Sequence, residues 1–221
     1  MSTLLIENGR VFYDGGLRDA DILVEDGKIA EVGSSATADK RIDAARRLVL
    51  PGAIDVHVHF REPGFEHKED WRTGTRSAVA GGVTTVVDQP NTNPPTTDGD
   101  AFDEKRWLAS KSIVDFGINA GVTPDWKPDE LFDRPVTAFG EVFMADSTGE
   151  MDASEFVEMD TNEDDDAVVW SKHRPPEAEI SAVEQAIEIA SGIGSDARLH
   201  FAHISHPRSV ELIAETHHSC E

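Results

Sequence analysis

The chain has 221 residues, enough to bury one good core or two small ones, and its 43 acidic against 20 basic residues give a formal net charge of −23. A charge of this sign and size argues against nucleic acid or an anionic membrane as a partner, because both would repel the protein. The single cysteine, Cys220, excludes an internal disulfide and a cysteine-rich metal site, so any metal has to be held by histidine and carboxylate.

The composition also bears on the environment of the protein. Arginine outnumbers lysine, and a strongly acidic, lysine-poor sequence is typical of a protein kept soluble in concentrated salt, where screening weakens self-repulsion. An ordinary acidic protein is the alternative. No stretch approaches the ~18 apolar residues of a membrane span, and the first residues lack the basic and apolar regions of a signal peptide. We therefore expect a soluble, cytoplasmic and halophilic protein.

Residues 1–50 predict a small antiparallel β-unit. We expect a hairpin turn at residues 25–28 and strands over residues 4–6, 10–12, 20–24 and 29–32. Because the strands are few and the apolar content is low, this unit should need another part of the protein to pack against.

After residue 50 strands alternate with helices, which predicts βαβ units and a parallel sheet. The expected strands cover residues 53–59, 83–88, 114–119, 136–144 and 198–204. The expected helices run from residue 68 or 69 to 80, from 100 to 112, from 177 to 190 and from 207 to 216. Gly81 and Gly82 should end the first helix in a left-handed cap. The acidic segment 151–166 is interpreted as a solvated loop or a short helix.

The first of these strands carries the most informative motif, in which His57, His59 and Arg61 occupy alternate positions. Residues two apart on a strand point to the same face, so the three side chains are expected to converge on one spot. Imidazole nitrogen is a preferred zinc ligand, and α/β barrels carry their chemistry at the carboxyl ends of parallel strands. The alternative is a pair of half-buried histidines on a sheet. The polar loop 61–70 that follows the strand favours a metal site with an anion clamp beside it.

Two further residues fit a metal site. Glu141 lies in an apolar run, where burial of a carboxylate without a partner would be costly; the alternative is an edge-strand glutamate that faces water. His203 lies near the carboxyl end of a later predicted strand; the alternative is a core histidine bonded to backbone carbonyls. Together with His57 and His59, they form a His/His/Glu/His set on three predicted strands.

Three segments resemble the dihydroorotases of the amidohydrolase superfamily: 51–64 (PGAIDVHVHFREPG), 68–71 (KEDW) and 80–92 (AGGVTTVVDQPNT). The resemblance covers nearly all of the chain. It implies that residues 1–50 belong to a β-sandwich domain and residues 51–221 to a metal-dependent (β/α) TIM-type barrel, incomplete because a full barrel takes about 250 residues. The implied activity is zinc-dependent interconversion of dihydroorotate and N-carbamoyl-aspartate in pyrimidine biosynthesis, with one or two zinc ions.

The resemblance also implies a set of metal ligands. His57, His59 and His203 match histidine ligands, and Glu141 stands where relatives carry a bridging carboxylated lysine or an aspartate. A glutamate supplies a permanent carboxylate there. Relatives carry a further histidine on a strand before the helix at 177–190; this chain has no convincing match to it, and His173 is a weak substitute.

Substrate contacts are implied at His59, Arg61 and Asn91. Arg61 matches the residue that grips the substrate carboxylate, a task suited to the planar guanidinium fork. It also separates dihydroorotases from allantoinases and hydantoinases, whose substrates lack this ring carboxylate. The general base of the family is an aspartate on the eighth barrel strand, beyond the end of this chain, so no catalytic residue is assigned.

Three interpretations follow. The chain is a truncated dihydroorotase, a dihydroorotase-like protein without catalysis that serves as an assembly partner, or a different cyclic amidohydrolase. An open partial barrel would expose apolar strand edges, so we also expect the chain to aggregate, to form a homo-oligomer or to bind a partner of the pyrimidine pathway.

Overall fold

The structure, a computed structural model, describes residues 2–33, 37–140, 142, 176–193 and 198–217. It has an α/β fold and divides into two compact units, Met1–Glu141 and Val142–Glu221. The predictions for segment 151–166, for Glu141 and for His173 concern residues outside the described part. Within that part, no helix has the length and apolar character needed to cross a membrane.

The first sheet has five strands: β1 Thr3–Tyr13, β2 Gly16–Glu25, β3 Lys28–Gly33, β4 Lys40–Asp43 and β5 Leu48–Val49. Their order is β3-β2-β1-β4, and β5 also pairs with β1. The predicted hairpin turn joins β2 to β3 through Asp26 and Gly27, both in left-handed backbone (φ 48° and 80°), as a type I′ turn requires. The antiparallel prediction is confirmed for β1 to β3. Strands β4 and β5 were not predicted; they run parallel to β1 and are too short to give an alternating pattern.

Strand β1 replaces the two strands predicted over residues 4–6 and 10–12. A bulge after Ile6 puts Asn8 in left-handed backbone (φ 59°), and the Asn8 N–H donates to Asp21 Oδ1 at 2.9 Å. The side-chain acceptor replaces a ladder bond, so the strand bends without ending.

The second sheet is parallel, with the order β6-β7-β8. Its strands are β6 Ala53–Val58, β7 Val83–Asp88 and β8 Asp115–Ile118. Helix α1 (Trp71–Ala80) connects β6 to β7, and helix α2 (Gly99–Leu108), followed by a 3-10 turn at Ala109–Lys111, connects β7 to β8. The predicted βαβ units are therefore present, and a short helix that was not predicted, α3 (Pro128–Phe132), follows β8.

Helix α1 begins later than predicted because Asp70 caps it. The Asp70 carboxylate accepts a hydrogen bond from the Thr73 N–H at 2.7 Å, which satisfies a donor of the first turn. At the other end the left-handed glycine is Gly82 (φ 83°), whereas Gly81 keeps a right-handed conformation.

The core of this sheet centres on aromatic side chains. The rings of Phe60 and Trp71 meet edge to face with centroids 5.1 Å apart, and Trp71 also meets Phe116 at 5.4 Å. Helix α1 approaches Phe60 closely because Gly74 faces the ring, and a Cβ at this position would collide with it. The buried members of the core are Phe60, Trp71, Val86, Phe102, Ala109, Ile118, Ala120 and Leu131.

Strand β6 lies at an edge of the described sheet. Two of its apolar side chains, Ile54 and Val56, are 65% and 53% exposed. The strand predicted over 136–144 is wrong for the described residues 136–140, where the structure has only an isolated parallel bridge between Phe139 and Ala120.

The second unit contains helix α4 (Pro176–Ile193) and helix α5 (Pro207–His217), which confirm the two predicted helices. The strand predicted over 198–204 is wrong, since residues 198–206 form no strand. His203 has left-handed backbone there (φ 57°), a conformation that a β-strand does not contain.

Candidate metal centre

The two histidines of the first motif lie together at the carboxyl end of β6. His57 is in the strand and His59 is the first residue after it, and their half-buried rings meet edge to face with centroids 5.1 Å apart. The pairing of β6 with β7 ends at this point, where the Gln89 N–H donates to the Val58 carbonyl at 2.9 Å. The sequence prediction that these two imidazoles come together is confirmed.

Asn91 holds the ring of His59. The Nδ1 atom of His59 lies 2.7 Å from the Asn91 amide oxygen, and an amide oxygen can only accept, so Nδ1 carries the proton. Nε2 then keeps its lone pair, which is the form of histidine that ligates a metal. Two adjacent imidazoles, one of them held in this tautomer, are a donor set that fits zinc.

The loop that carries Asn91 is fixed by its own backbone. The N–H groups of Thr92 and Thr96 both donate to the Pro90 carbonyl, at 2.8 and 3.0 Å, and the Thr92 hydroxyl donates to the Pro94 carbonyl at 2.9 Å. Asn91 is therefore presented to His59 by a defined turn.

Arg61 does not share the strand face predicted for it. The strand ends at Val58, and Arg61 has left-handed backbone (φ 64°), so the alternation that would align it with His57 and His59 is broken. The half-buried side chain belongs to the loop after the strand. This conformation is uncommon for a residue with a Cβ and is costly unless the surroundings hold it.

Glu62, next to Arg61, fixes the loop after β6 through two contacts of its carboxylate. It is 4% exposed, and its Oε2 accepts a hydrogen bond from the Trp71 N–H at 3.1 Å. Its Oε1 forms an ion pair with Lys111, at the end of the 3-10 turn. The carboxylate thus ties the loop to the start of α1 and to the end of the α2 segment.

A buried polar cluster lies directly beneath the site and was missed by the sequence interpretation. Asp88 and Lys105 are both fully buried and form an ion pair of 2.7 Å, and the second oxygen of Asp88 accepts the Phe60 N–H at 2.7 Å. Lys105 also donates to the Gln89 carbonyl, and Asn119 Nδ2 donates to Gln89 Oε1 at 3.2 Å. Burial lowers the pKa of the Lys105 ammonium from its ordinary value, and the Asp88 carboxylate opposes that shift.

One sequence pattern could have revealed this cluster. Lys105 lies four residues from two buried alanines, Ala101 on α2 and Ala109 at the start of the 3-10 turn, and so falls on the buried stripe of this segment. A lysine at such a position needs a buried acid, and Asp88, at the end of an apolar strand, is the kind of residue that provides one.

The two other predicted ligands are Glu141 and His203. Glu141 lies outside the described residues, and His203 is an exposed residue of the second unit. Among the residues that the structure describes, no three His, Cys, Asp or Glu side chains are grouped so that they could hold a metal ion.

Several known proteins resemble this chain in sequence or in structure. It is 48% identical to the dihydroorotase of Halobacterium salinarum over 238 aligned positions, which use 96% of this chain and 56% of the relative. It is 36% identical to the allantoinase of Rubrobacter xylanophilus, over 95% of this chain and 54% of the relative. Its fold resembles the L-hydantoinase of Arthrobacter aurescens with a TM-score of 0.85 and 26% identity, over 99% of this chain and 56% of that structure.

The chain thus spans about half the length of the curated relatives it matches. The alignment with the Halobacterium protein is longer than the chain itself, so that relative carries residues with no counterpart here. A model of the dihydro-orotase-like family matches residues 46–165, which is more than half of the chain and includes His57, His59, Arg61 and Asn91. On this evidence the chain belongs to the dihydro-orotase-like family of cyclic amidohydrolases.

Proposed function

We propose that the protein is a zinc-dependent dihydroorotase that interconverts dihydroorotate and N-carbamoyl-aspartate in pyrimidine biosynthesis. The observation that carries this proposal is the pair His57 and His59, with Asn91 holding His59 in the ligating tautomer and Arg61 on the same loop. The identity with the Halobacterium dihydroorotase supports the substrate.

The proposed metal ligands are His57, His59, Glu141 and His203, for one or two zinc ions. Support in the structure comes from the two imidazoles of the first unit, whose donor chemistry suits zinc. Glu141 and His203 are included because they match ligands of the family in the sequence. When bound, zinc would supply Lewis acidity, which polarises the amide carbonyl and eases deprotonation of water.

The chain's own side chains have separate tasks in this reaction. Arg61 binds the ring carboxylate of the substrate through its guanidinium fork and so orients the scissile amide. Asn91 orients His59 through Nδ1 and offers its amide N–H groups to the substrate. Hydrolysis adds water across the C–N bond, which leaves a carboxylate on carbon and delivers a proton to the departing nitrogen.

The fold proposed for the protein is that of a metal-dependent (β/α) TIM-type barrel, of which β6, β7 and β8 are the first three strands. The parallel order of these strands and the position of the histidines at a strand's carboxyl end support it. Residues 1–50 are proposed as the first part of a β-sandwich domain and residues 51–221 as part of the barrel.

The test is a comparison of three substrates. The 221-residue chain, loaded with Zn²⁺, is assayed for binding and for turnover of dihydroorotate, allantoin and a hydantoin, and we expect dihydroorotate to be preferred in each measurement that gives a signal. His57→Ala should lose both zinc and turnover, whereas His67→Ala, at an exposed histidine of the next loop, should lose neither. Preferential turnover of allantoin or the hydantoin would contradict the proposal.

The main alternative is a different cyclic amidohydrolase activity, favoured by the similarity to an allantoinase and to an L-hydantoinase. Arg61 separates the two. Arg61→Met should reduce kcat/KM for dihydroorotate by about 10- to 100-fold, the value of a charge-assisted contact, and should leave turnover of a substrate without the carboxylate unchanged. Arg72→Met, at an exposed arginine of α1, is the control and should change neither. Equal losses on both substrates would remove Arg61 as the carboxylate clamp.

A catalytically inactive assembly partner is the other alternative. The exposed apolar residues Ile54 and Val56 on edge strand β6 favour it, because an uncovered strand edge invites pairing. Light scattering combined with chemical unfolding tests this possibility. A chain that binds zinc, turns over none of the three substrates and associates with itself or a pathway enzyme would support it, and a monodisperse, cooperatively unfolding monomer would count against it.

A salt-rich cytoplasm is the proposed environment. The net charge of −23 supports it, since counterions are needed to weaken the repulsion among the acidic side chains. We expect the thermal unfolding midpoint to rise steadily as KCl is raised above physiological concentration. A midpoint that stays constant or falls would mark the protein as an ordinary acidic one.

A further inference from the structure

We propose that the buried pair of Asp88 and Lys105 is a positioning element that holds the Phe60 backbone, and with it the flanking residues His59 and Arg61, in the geometry that zinc and substrate require. The inference rests on the proposed function in so far as His59 and Arg61 are taken as site residues. It assigns a role in the site to two side chains that touch neither metal nor substrate.

The contacts of Asp88 carry the first step. One carboxylate oxygen binds the Lys105 ammonium and the other accepts the Phe60 N–H, each at 2.7 Å, and both side chains are fully buried. A short hydrogen bond from a backbone N–H to a buried, charged acceptor is stronger than one between neutral groups. The backbone at Phe60 is therefore fixed to β7 by a carboxylate that cannot move without leaving its cation.

The contacts of Lys105 and Gln89 extend the cluster to all three strands. Lys105 donates to the Gln89 carbonyl, while the Gln89 side chain donates to the Val56 carbonyl at 3.3 Å and accepts from Asn119 at 3.2 Å. These contacts link the carboxyl ends of β6, β7 and β8. The cluster thus sets the relative position of the strand ends from which the site loops emerge.

The conformation of Arg61 shows what this fixation achieves. Left-handed backbone is costly for a residue with a Cβ, and it persists only where the surrounding structure holds it. On one flank the Phe60 N–H is bound by Asp88, and on the other Glu62 is bound by Trp71 and Lys111. Release of the Phe60 flank would let Arg61 relax to an ordinary conformation and redirect its side chain.

The chemistry of the pair also argues against a purely stabilising role. Burying two charges is expensive, and apolar residues of similar volume are often as stabilising or more so. Helix α2 also carries an ordinary ion pair, between Asp103 and Arg134, which is partly exposed and touches no residue of the site. The two pairs of one helix can therefore be compared directly.

The test uses two double variants of the full chain that differ only in whether an acceptor faces Phe60. D88N/K105M keeps a side-chain oxygen for the Phe60 N–H, and D88L/K105M has none. D103L/R134M is the matched control at the exposed pair. For each variant we would measure hydrogen exchange at the Phe60 amide, the ¹⁵N shifts that report the His59 tautomer, and Zn²⁺ affinity by competition with a chromogenic chelator.

We expect D88L/K105M to fold but to exchange the Phe60 amide at least about tenfold faster, the change that corresponds to loss of one hydrogen bond. Its His59 ¹⁵N shifts should move from the Nδ1-protonated tautomer toward a mixture, and its Zn²⁺ affinity should fall by about 10- to 100-fold, as for loss of an outer partner of a metal ligand. D88N/K105M, which keeps a neutral acceptor but loses the charge and the cation that fix it, should change in the same direction by a smaller amount, and D103L/R134M should match the wild-type chain in all three measurements.

A folded D88L/K105M variant with wild-type exchange, tautomer and zinc affinity would overturn the proposal, as would changes of the same size in the control D103L/R134M. If D88L/K105M does not fold, D88N/K105M still decides, because the proposal requires its Phe60 amide to exchange faster than in the wild-type chain and its His59 tautomer to shift, and wild-type values of both would overturn the proposal. The proposed function fails separately, if the wild-type chain binds no Zn²⁺ and turns over no substrate. In that case the exchange and tautomer measurements alone judge the positioning role.

Discussion

Two carboxylates, one in each unit, bind backbone N–H groups close in sequence to a predicted metal ligand. Asp88 binds the N–H of Phe60, the residue after His59. Glu179, on α4, binds the N–H groups of Ser205 and His206, just after His203, at 2.9 to 3.3 Å, and the Ser205 hydroxyl at 2.6 Å. In both units a carboxylate thus fixes the backbone next to a predicted histidine ligand.

The two carboxylates differ in burial, and their partners differ accordingly. Asp88 is fully buried and has a cation, Lys105, as its partner, whereas Glu179 is half-buried and uses neutral donors. Burial raises the pKa of the Glu179 carboxyl, but hydrogen bonds from the Ser205 hydroxyl and from the Ser205 and His206 backbone N–H groups outweigh it and lower the pKa from 4.5 to about 2. We therefore expect the buried carboxylate to be most sensitive to loss of its cation by substitution. The half-buried one should be most sensitive to protonation at low pH.

The largest expected effect is at the buried anchor. Lys105→Met leaves the Asp88 charge buried without its cation, so the free energy of unfolding should fall by about 3–5 kcal/mol. Arg134→Met, at the partly exposed pair with Asp103, should lower the free energy of unfolding far less, because solvent screens that pair. Urea unfolding measures both. Equal costs for the two variants would remove the distinction between a buried and a solvated anchor.

A smaller effect compares packing in the two units through one substitution. Gly74→Ala places a methyl group against the Phe60 ring and should cost about 1–3 kcal/mol. Gly192→Ala, on α4, meets nothing within 4 Å and should stabilise its helix by about 0.5–1 kcal/mol. Thermal unfolding of the two variants checks this prediction, and the same sign in both would mean that Phe60 is less tightly packed than the structure indicates.

The smallest effect concerns acid. Because the folded pKa of Glu179 is about 2 against an ordinary 4.5, its contribution to stability is complete above pH 4.5 and is lost as the pH falls toward 2. Glu179→Gln should therefore be less stable than the wild-type chain at pH 6, with the difference shrinking between pH 4.5 and 2. Circular dichroism melts at low salt measure that difference, with Glu177→Gln as the control on the same helix. If the difference in stability does not change with pH, ionisation of Glu179 does not contribute to the loss of stability in acid.

Local patterns predicted the regular elements well. The strand over Val83–Asp88 and helices α4 and α5 follow from β-branched runs, apolar periodicity and prolines at helix starts. Strands β4 and β5 were missed because they are held by pairing with β1, more than thirty residues earlier in the chain, which no local pattern records.

The candidate site was predicted in part for the same reason. The proximity of His57 and His59 follows from strand geometry, so it was predictable. The roles of Asn91 and Lys105 depend on contacts 32 and 16 residues away along the chain, so spacing alone did not reveal them. The alternating run at 198–204 predicted a strand, but Glu179 takes the backbone donors that follow it.

The left-handed backbone of Arg61 has a consequence for substitution experiments and for divergence of the sequence at this position. Two preferences act on one residue, since the backbone favours glycine or asparagine while the substrate favours a guanidinium. Arg61→Gly would therefore delete the side chain while leaving the loop relaxed, and Arg61→Val would disturb both. In a library of all twenty residues at position 61, glycine should rank high in stability and low in activity, arginine should rank highest in activity, and β-branched residues should rank low in both.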